Sequence, residues 1–196
     1  MSFKEKQKRR KPTKFIPLLI LAFLGGYFTG KKDINSDYQP IPAHPIAAQA
    51  IKVQFSPHGR CMQLIKEAIM LANQRIFVHA YAFTSPVIAE ELIKAHKRGI
   101  EVRILVDRSQ LTAKGSQVNI VRKEAIPIAI DVVSGIAHNK VMIIDDLYVL
   151  TGSFNWSSAA ATRNAENLLL ITDKDINQLY TQNWQERAAL ARPIPD

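Results

Sequence analysis

Apolar positions between residues 51 and 191 recur with two alternating spacings. IKVQF, from Ile51, reads as a short strand, whereas residues 60–73 place Met62, Ile65, Ile69 and Leu71 at helical spacing. Residues 76–83 form a second apolar strand. Pro86 opens a helix that runs to residue 98 and is stopped by Gly99, and EVRILVD at 101–107 is a further strand. A helix is predicted over 116–125, then strands over 128–133, 138–144 and 147–151. The tight turn at Asp145 and Asp146 makes the last two an antiparallel hairpin. A late strand follows at 166–172, and Asp173 caps a final helix ending near residue 191. This order predicts an α/β domain over residues 51–196, with a mixed β-sheet flanked by helices. The sequence shows neither an internal repeat nor a low-complexity stretch.

The first 50 residues have a different pattern. Residues 15–29, FIPLLILAFLGGYFT, are uncharged over 15 positions and lie between a basic head and Lys31-Lys32, the layout of an export signal. A spanning helix usually takes about 20 apolar residues, so the run is short for an anchor. No small-x-small triplet closes it for cleavage, however, and the nearest, Ala48-Gln49-Ala50, is about 20 residues further on. The expected arrangement is a basic head and hydrophobic signal or anchor segment over 1–30, then a proline-containing linker over 31–50. The lysine-rich head stays in the cytoplasm and the domain is exported, anchored in the membrane through residues 15–29 or else secreted, facing the periplasm.

Charge alters this picture little. The 196 residues carry 26 Lys and Arg against 17 Asp and Glu, a formal +9. Residues 1–14 alone hold seven bases against Glu5, a net +6, so most of the excess belongs to the head and is not by itself a sign of nucleic-acid binding. With 47% apolar residues the chain can bury a core, which excludes the disordered and collagen-like classes. The single Cys61 excludes an internal disulfide and zinc sites built on paired cysteines.

Candidate chemistry is concentrated in one segment. His138 and Lys140 stand two residues apart, Asp145 follows, and six residues later come Gly152, Ser153 and Asn155. Period-2 geometry puts His138 and Lys140 on one face of a strand, and the hairpin returns Ser153 and Asn155 beside them. A neutral imidazole is nucleophilic near pH 7 and forms a labile N–P bond. Lys140 would supply charge, and Ser153 and Asn155 neutral donors, for the non-bridging oxygens of a phosphate; Gly152 would let the backbone approach. No carboxylate cluster accompanies these groups, so neither a metal nor a cofactor is expected.

The spacing H-x-K-x4-D-x6-G-S-x-N, unbroken from His138 to Asn155, resembles the signature of the phospholipase D superfamily. Residues 51–190, including Ala80-Tyr-Ala-Phe-Thr84 and Asn164-Ala-Glu166-Asn167, resemble the small single-motif bacterial endonucleases of that superfamily. The resemblance implies a phospholipase D/nuclease-like fold. It further implies a homodimer whose two motifs form one active site, with His138 as the nucleophile of a phosphohistidine and the second copy's equivalent histidine as the acid. Glu166 would orient the imidazole through its other nitrogen, completing with His138, Lys140 and Asp145 the expected catalytic set; Asp145, at the turn, suits a structural place better than substrate contact. The function implied is an exported, metal-independent DNA endonuclease, with possible substrates extending to RNA. A phospholipase or phosphatidyl transferase, and a silent membrane-tethered nucleic-acid-binding module, are the alternatives. His44, His58, His79 and His96 read as tether, loop, strand and helix-surface residues. Trp184 reads as packing, and Trp156 as packing or as a platform for a base.

Overall fold

The computed structural model describes residues 51–195; the head, the apolar run, the linker and His44 lie outside the described residues. Among the described residues, eight strands form one mixed sheet: β1 (Ile51–Ser56), β2 (Arg75–Ala80), β3 (Glu101–Val106), β4 (Ile128–Ile130), β5 (Lys140–Ile144), β6 (Tyr148–Gly152), β7 (Glu166–Thr172) and β8 (Arg192–Pro193). Their spatial order is β1-β7-β6-β5-β2-β3-β4-β8. The helices are α1 (Cys61–Leu71), α2 (Pro86–Lys97), α3 (Val118–Lys123), α4 (Ser158–Thr162) and α5 (Lys174–Ala189).

Local chemistry accounts for most of these boundaries. Ser85 caps α2 by accepting from the Ile88 N–H, Pro86 occupies the first turn where its missing N–H costs nothing, and Gly99 leaves the helix at φ 89°. Crossovers through α2 and α3 make β2, β3 and β4 parallel, while a tight turn makes β5 and β6 antiparallel and the segment 153–165, which carries α4, returns β7 antiparallel to β6. Asp173 caps α5 by accepting from the Ile176 N–H at 2.9 Å.

Alternation along the strands divides the core into two layers. Ile76, Val78, Ile104, Met142, Ile144, Leu150 and Leu168 face α1, α2 and α3. Phe77, Leu105, Val141, Ile143 and Val149 face α5 and its Trp184. Trp184 stacks on Phe77 at 4.4 Å and donates to the Val78 carbonyl. All five residues of β5 are buried, as expected of a central strand covered on both faces.

Several expected elements differ in extent. The strand expected over 138–144 starts at Lys140, leaving His138 in the approach to the ladder, although the Tyr81 N–H still reaches the Asn139 carbonyl at 2.8 Å. The strand expected over 128–133 stops at Ile130, although the Asp131 N–H still reaches the Val106 carbonyl at 2.9 Å; the Asp131 carboxylate then meets Arg187 and His79. The second strand ends at Ala80, and Phe83 then bridges to Trp156. The short α4 and β8 have no periodicity long enough to predict.

Candidate active site

One end of the sheet collects the motif. It is the end where the parallel strands β2, β3 and β4 finish, the usual place for a ligand in an open α/β sheet. The registers bring β5's first residue, β6's last, β7's first and β1's last to the same end. Lys140 pairs with Ala80, Gly152 with Leu168 and Glu166 with Ser56.

His138 is exposed and Lys140 is buried. The Lys140 Nζ lies 3.1 Å from His138 Nε2 and donates to the His138 carbonyl at 2.9 Å. An ammonium can only donate, so a hydrogen bond between them requires Nε2 to accept, which is the tautomer with the ring proton on Nδ1. The lone pair at Nε2 is the one a phosphorus electrophile would meet. Burial pushes the Lys140 ammonium below the usual lysine range, and the negative charge of Glu166 opposes that shift.

Ser153, Glu166, Asn164 and Asn167 form a second group. The Ser153 hydroxyl donates to Glu166 Oε2 at 2.6 Å and accepts from the Asn167 N–H at 3.1 Å, while the Asn164 amide donates to Glu166 Oε1 at 2.9 Å. Both Glu166 oxygens are thus engaged, and within one chain Glu166 makes no hydrogen bond to His138. The expected contact between these two residues is absent from the single chain because Ser153 and Asn164 hold the carboxylate. Gly152 has φ 153°, and a side chain there would run into the Asn167 carbonyl oxygen, so the close approach of β6 to β7 requires glycine. The side-chain oxygen of Asn155 is buried without a partner, so the fold does not use it.

Asp145 is elsewhere. It lies seven residues beyond His138, about 23 Å along an extended chain. Its carboxylate accepts from the backbone N–H groups of Asn73 at 3.0 Å, Gln74 at 2.8 Å and Arg75 at 3.0 Å. Burial raises its pKa, but these three donors outweigh that and hold the carboxyl below the usual range. The motif aspartate ties the β5–β6 turn to the entry of β2 and does not belong to the catalytic group.

Three residues that the sequence did not single out support the site. Tyr81 places its ring 4.3 Å from that of His138, and Lys140 Nζ lies 4.8 Å from the same ring. Asp107, buried at the end of β3, accepts from the Ala137 N–H at 2.8 Å and the Ser109 N–H at 2.9 Å, clamping the residue before His138. Asp131, near the start of the same loop, is held by Arg187 Nε at 2.9 Å and lies 3.1 Å from His79 Nε2. His79 is therefore a strand residue with a carboxylate partner 52 positions away, a pairing sequence spacing does not reveal. Burial lowers its pKa, and Asp131 pulls it back only in part. Trp156 is fully buried and donates to the His79 carbonyl at 2.9 Å, which makes it a packing residue and removes it as a base platform. Among the described residues, no group of His, Cys, Asp or Glu converges to hold a metal ion.

A histidine with its Nε2 lone pair beside a buried ammonium, at the mouth of a mixed sheet, is suited to phosphoryl chemistry. The family model described as "Cardiolipin synthase, PLD-like domain" matches residues 65–187. The chain belongs to the phospholipase D superfamily and is a phosphodiester hydrolase of that class. It is 39% identical to a phospholipase D of Rickettsia felis over 92% of this chain and 98% of that one. It is 30% identical to the mitochondrial cardiolipin hydrolase of Homo sapiens over 66% of this chain and 52% of that one. The solved structure of Nuc, a phospholipase D family member from Salmonella typhimurium, superposes with a TM-score of 0.70 at 34% identity, covering 74% of this chain and 98% of Nuc.

Proposed function

We propose that the protein is a nucleic-acid phosphodiesterase, a DNA endonuclease that needs no metal and acts through a phosphohistidine on His138. The observation that carries this reading is the placement of His138 Nε2 3.1 Å from Lys140 Nζ at an open sheet end. A phosphate entering there draws Lys140 onto a non-bridging oxygen and thereby frees the Nε2 lone pair. Nε2 attacks phosphorus, the P–O bond to the leaving oxygen breaks, and that oxygen takes a proton from a general acid. Water then cleaves the N–P bond and restores the ring. Lys140, joined by the side-chain amide N–H of Asn155, offsets the charge on the oxygens, whereas the Ser153 hydroxyl proton is already given to Glu166.

The general acid supports a homodimer with one shared site. His79 is buried against Asp131, and His96, in the last turn of α2, lies at the opposite end of the sheet. His58, in the loop after β1, is the remaining described histidine at this end, and nothing in the structure pairs it with His138. A second copy related by a two-fold axis would bring a second His138 to the same phosphate. Subunit exchange with His138→Ala chains tests this. A heterodimer with near-zero activity supports sharing; a heterodimer at half of wild type overturns it.

The lipid reading remains a second proposal because the curated relatives are named for phospholipid cleavage. The same placement of a phosphodiester serves either substrate. Export and anchoring through residues 15–29 are proposed on the head and the apolar run alone. The deciding assay offers plasmid DNA, single-stranded DNA and cardiolipin vesicles to the purified full chain, each with excess EDTA. DNA cleavage in EDTA is expected. Cleavage of lipid alone would move the substrate to phospholipid, and activity restored only by magnesium would overturn the metal-free mechanism.

A further inference from the structure

The nucleophile and its cation share one aromatic neighbour. Tyr81 follows the last residue of β2, and its N–H bond to the Asn139 carbonyl, 2.8 Å long, fixes its backbone against the step between His138 and Lys140. The ring centroid lies 4.3 Å from the His138 ring, with the planes tilted by 59°, and 4.8 Å from Lys140 Nζ. The ammonium distance is inside the range of about 6 Å in which a ring face attracts a cation. Among the described residues the Tyr81 hydroxyl makes no hydrogen bond, so the side chain is held here by its ring.

We propose that Tyr81 is a positioning residue of the reaction: its ring face holds the Lys140 ammonium charged and within reach of phosphate, and fixes the rotamer of His138. This rests on the reading that His138 and Lys140 perform the chemistry.

The physical reason is what a π face does that a carboxylate does not. Lys140 is buried, and burial favours the neutral amine, which cannot stabilise a phosphate. A carboxylate in contact would keep the ammonium charged but would occupy its N–H donors and neutralise the charge the phosphate must feel. The structure keeps Glu166 off Lys140, with both carboxylate oxygens engaged by Ser153 and Asn164. A ring face attracts the cation through its quadrupole and takes no conventional hydrogen bond. Of the three ammonium N–H groups, two are directed to His138 Nε2 and the His138 carbonyl; an incoming oxygen takes the third, and its pull on the ammonium then releases Nε2. The groups that face Lys140 are thus His138, Tyr81 and, at longer range, Glu166. The same ring limits the motion of the exposed His138 side chain, whose loop is otherwise tied by Asp107 to the Ala137 N–H, by Tyr81 to the Asn139 carbonyl and by Arg187 to Asp131 and Val132.

Tyr81→Leu keeps an apolar side chain over Lys140 and removes the π face; Tyr81→Phe keeps the face and removes the hydroxyl. With bis(p-nitrophenyl) phosphate as the probe and the full chain as enzyme, Tyr81→Leu is expected to lower kcat about 30-fold, the rate equivalent of a desolvated cation–π contact, with KM changed less than about threefold. Tyr81→Phe should recover most of that loss. The Lys140 ammonium, followed by NMR on lysine-labelled protein and assigned with Lys140→Arg, should titrate at lower pH in Tyr81→Leu and return in Tyr81→Phe. If Tyr81→Leu does not fold, phenylalanines of increasing ring fluorination at position 81 replace it, and kcat should fall with each fluorine at constant shape. A Tyr81→Leu enzyme within threefold of wild type, a Tyr81→Phe enzyme as impaired as Tyr81→Leu, a flat fluorination series or an unmoved Lys140 titration each overturns the proposal. If His138→Ala stays active, the underlying reading fails instead, and the Lys140 titration still decides the role of Tyr81.

Discussion

The two ends of the β5–β6 hairpin carry residues of one sequence motif and have opposite physical characters. At the turn, Asp145 is saturated: three backbone N–H groups converge on its carboxylate, and the neighbouring Arg75–Asp146 pair closes at 2.5 Å. At the open end, His138 is exposed, and Lys140 is buried against an aromatic ring without a carboxylate in contact. A group whose hydrogen-bonding capacity the fold consumes contributes stability; one whose capacity is left over at a sheet mouth is available to a ligand. Sequence spacing treats Asp145 and Lys140 alike, and partner counting separates them.

Mutating each end in turn should break the protein in two different ways. The largest effect is expected from His138→Ala, which should abolish turnover of bis(p-nitrophenyl) phosphate, by at least about a thousandfold. Its thermal midpoint should stay within a degree or two, since the ring is exposed. DNA binding, measured by anisotropy, should persist because it rests on backbone charge contacts. Residual activity above a few per cent would place the nucleophile elsewhere.

Lys140→Met should come next, with kcat down about a hundredfold or more, as when a preorganised oxyanion donor is lost. Stability should hold or rise, because an apolar side chain of similar length removes a buried charge from the site. A thermal midpoint falling in parallel with kcat would mean that Lys140 is structural, and the contrast between the two ends would fail.

Asp145→Ala should show the opposite pattern. Activity per folded molecule should stay within about twofold of wild type, while stability drops by about 3 kcal/mol as three backbone donors lose a charged acceptor. The same carboxylate predicts a pH dependence. Its folded pKa is depressed below the unfolded value of about 3.9, so its contribution is fully present above that value and is lost as pH falls through the folded pKa. Denaturant titration between pH 6 and pH 2 should therefore show a steeper acid loss in wild type than in Asp145→Ala. Parallel curves would remove the anchoring role.

The smallest free-energy change is expected for Glu166→Gln. Its side-chain oxygen can still accept from Ser153, so kcat should fall by only about threefold to tenfold. A loss as large as that of His138→Ala would give Glu166 a direct part in proton transfer and would call for a contact to His138 that a single chain does not make.

Much of this was readable from the chain. Strand and helix order follow from local periodicity, Ser85-Pro86 and Asp173 mark helix starts by chemistry that acts within three residues, and the turn at Asp145-Asp146 sets the hairpin. The hairpin in turn brings His138, Lys140, Gly152 and Ser153 to one end, because antiparallel register depends only on where the turn falls. Long-range pairing decided the rest. Whether Glu166 faces His138 or Ser153, whether Trp156 is exposed or buried, and that Tyr81, Asp107 and Asp131 stand behind the nucleophile depend on strands and loops separated by 13 to 77 positions. No periodicity encodes such pairs, since they arise when the sheet closes and each buried polar group must find a partner. The sequence alone determined which chemical groups this protein has and which end of the hairpin they share; the tertiary structure decided which of those groups the fold consumes and which it leaves available for a phosphate.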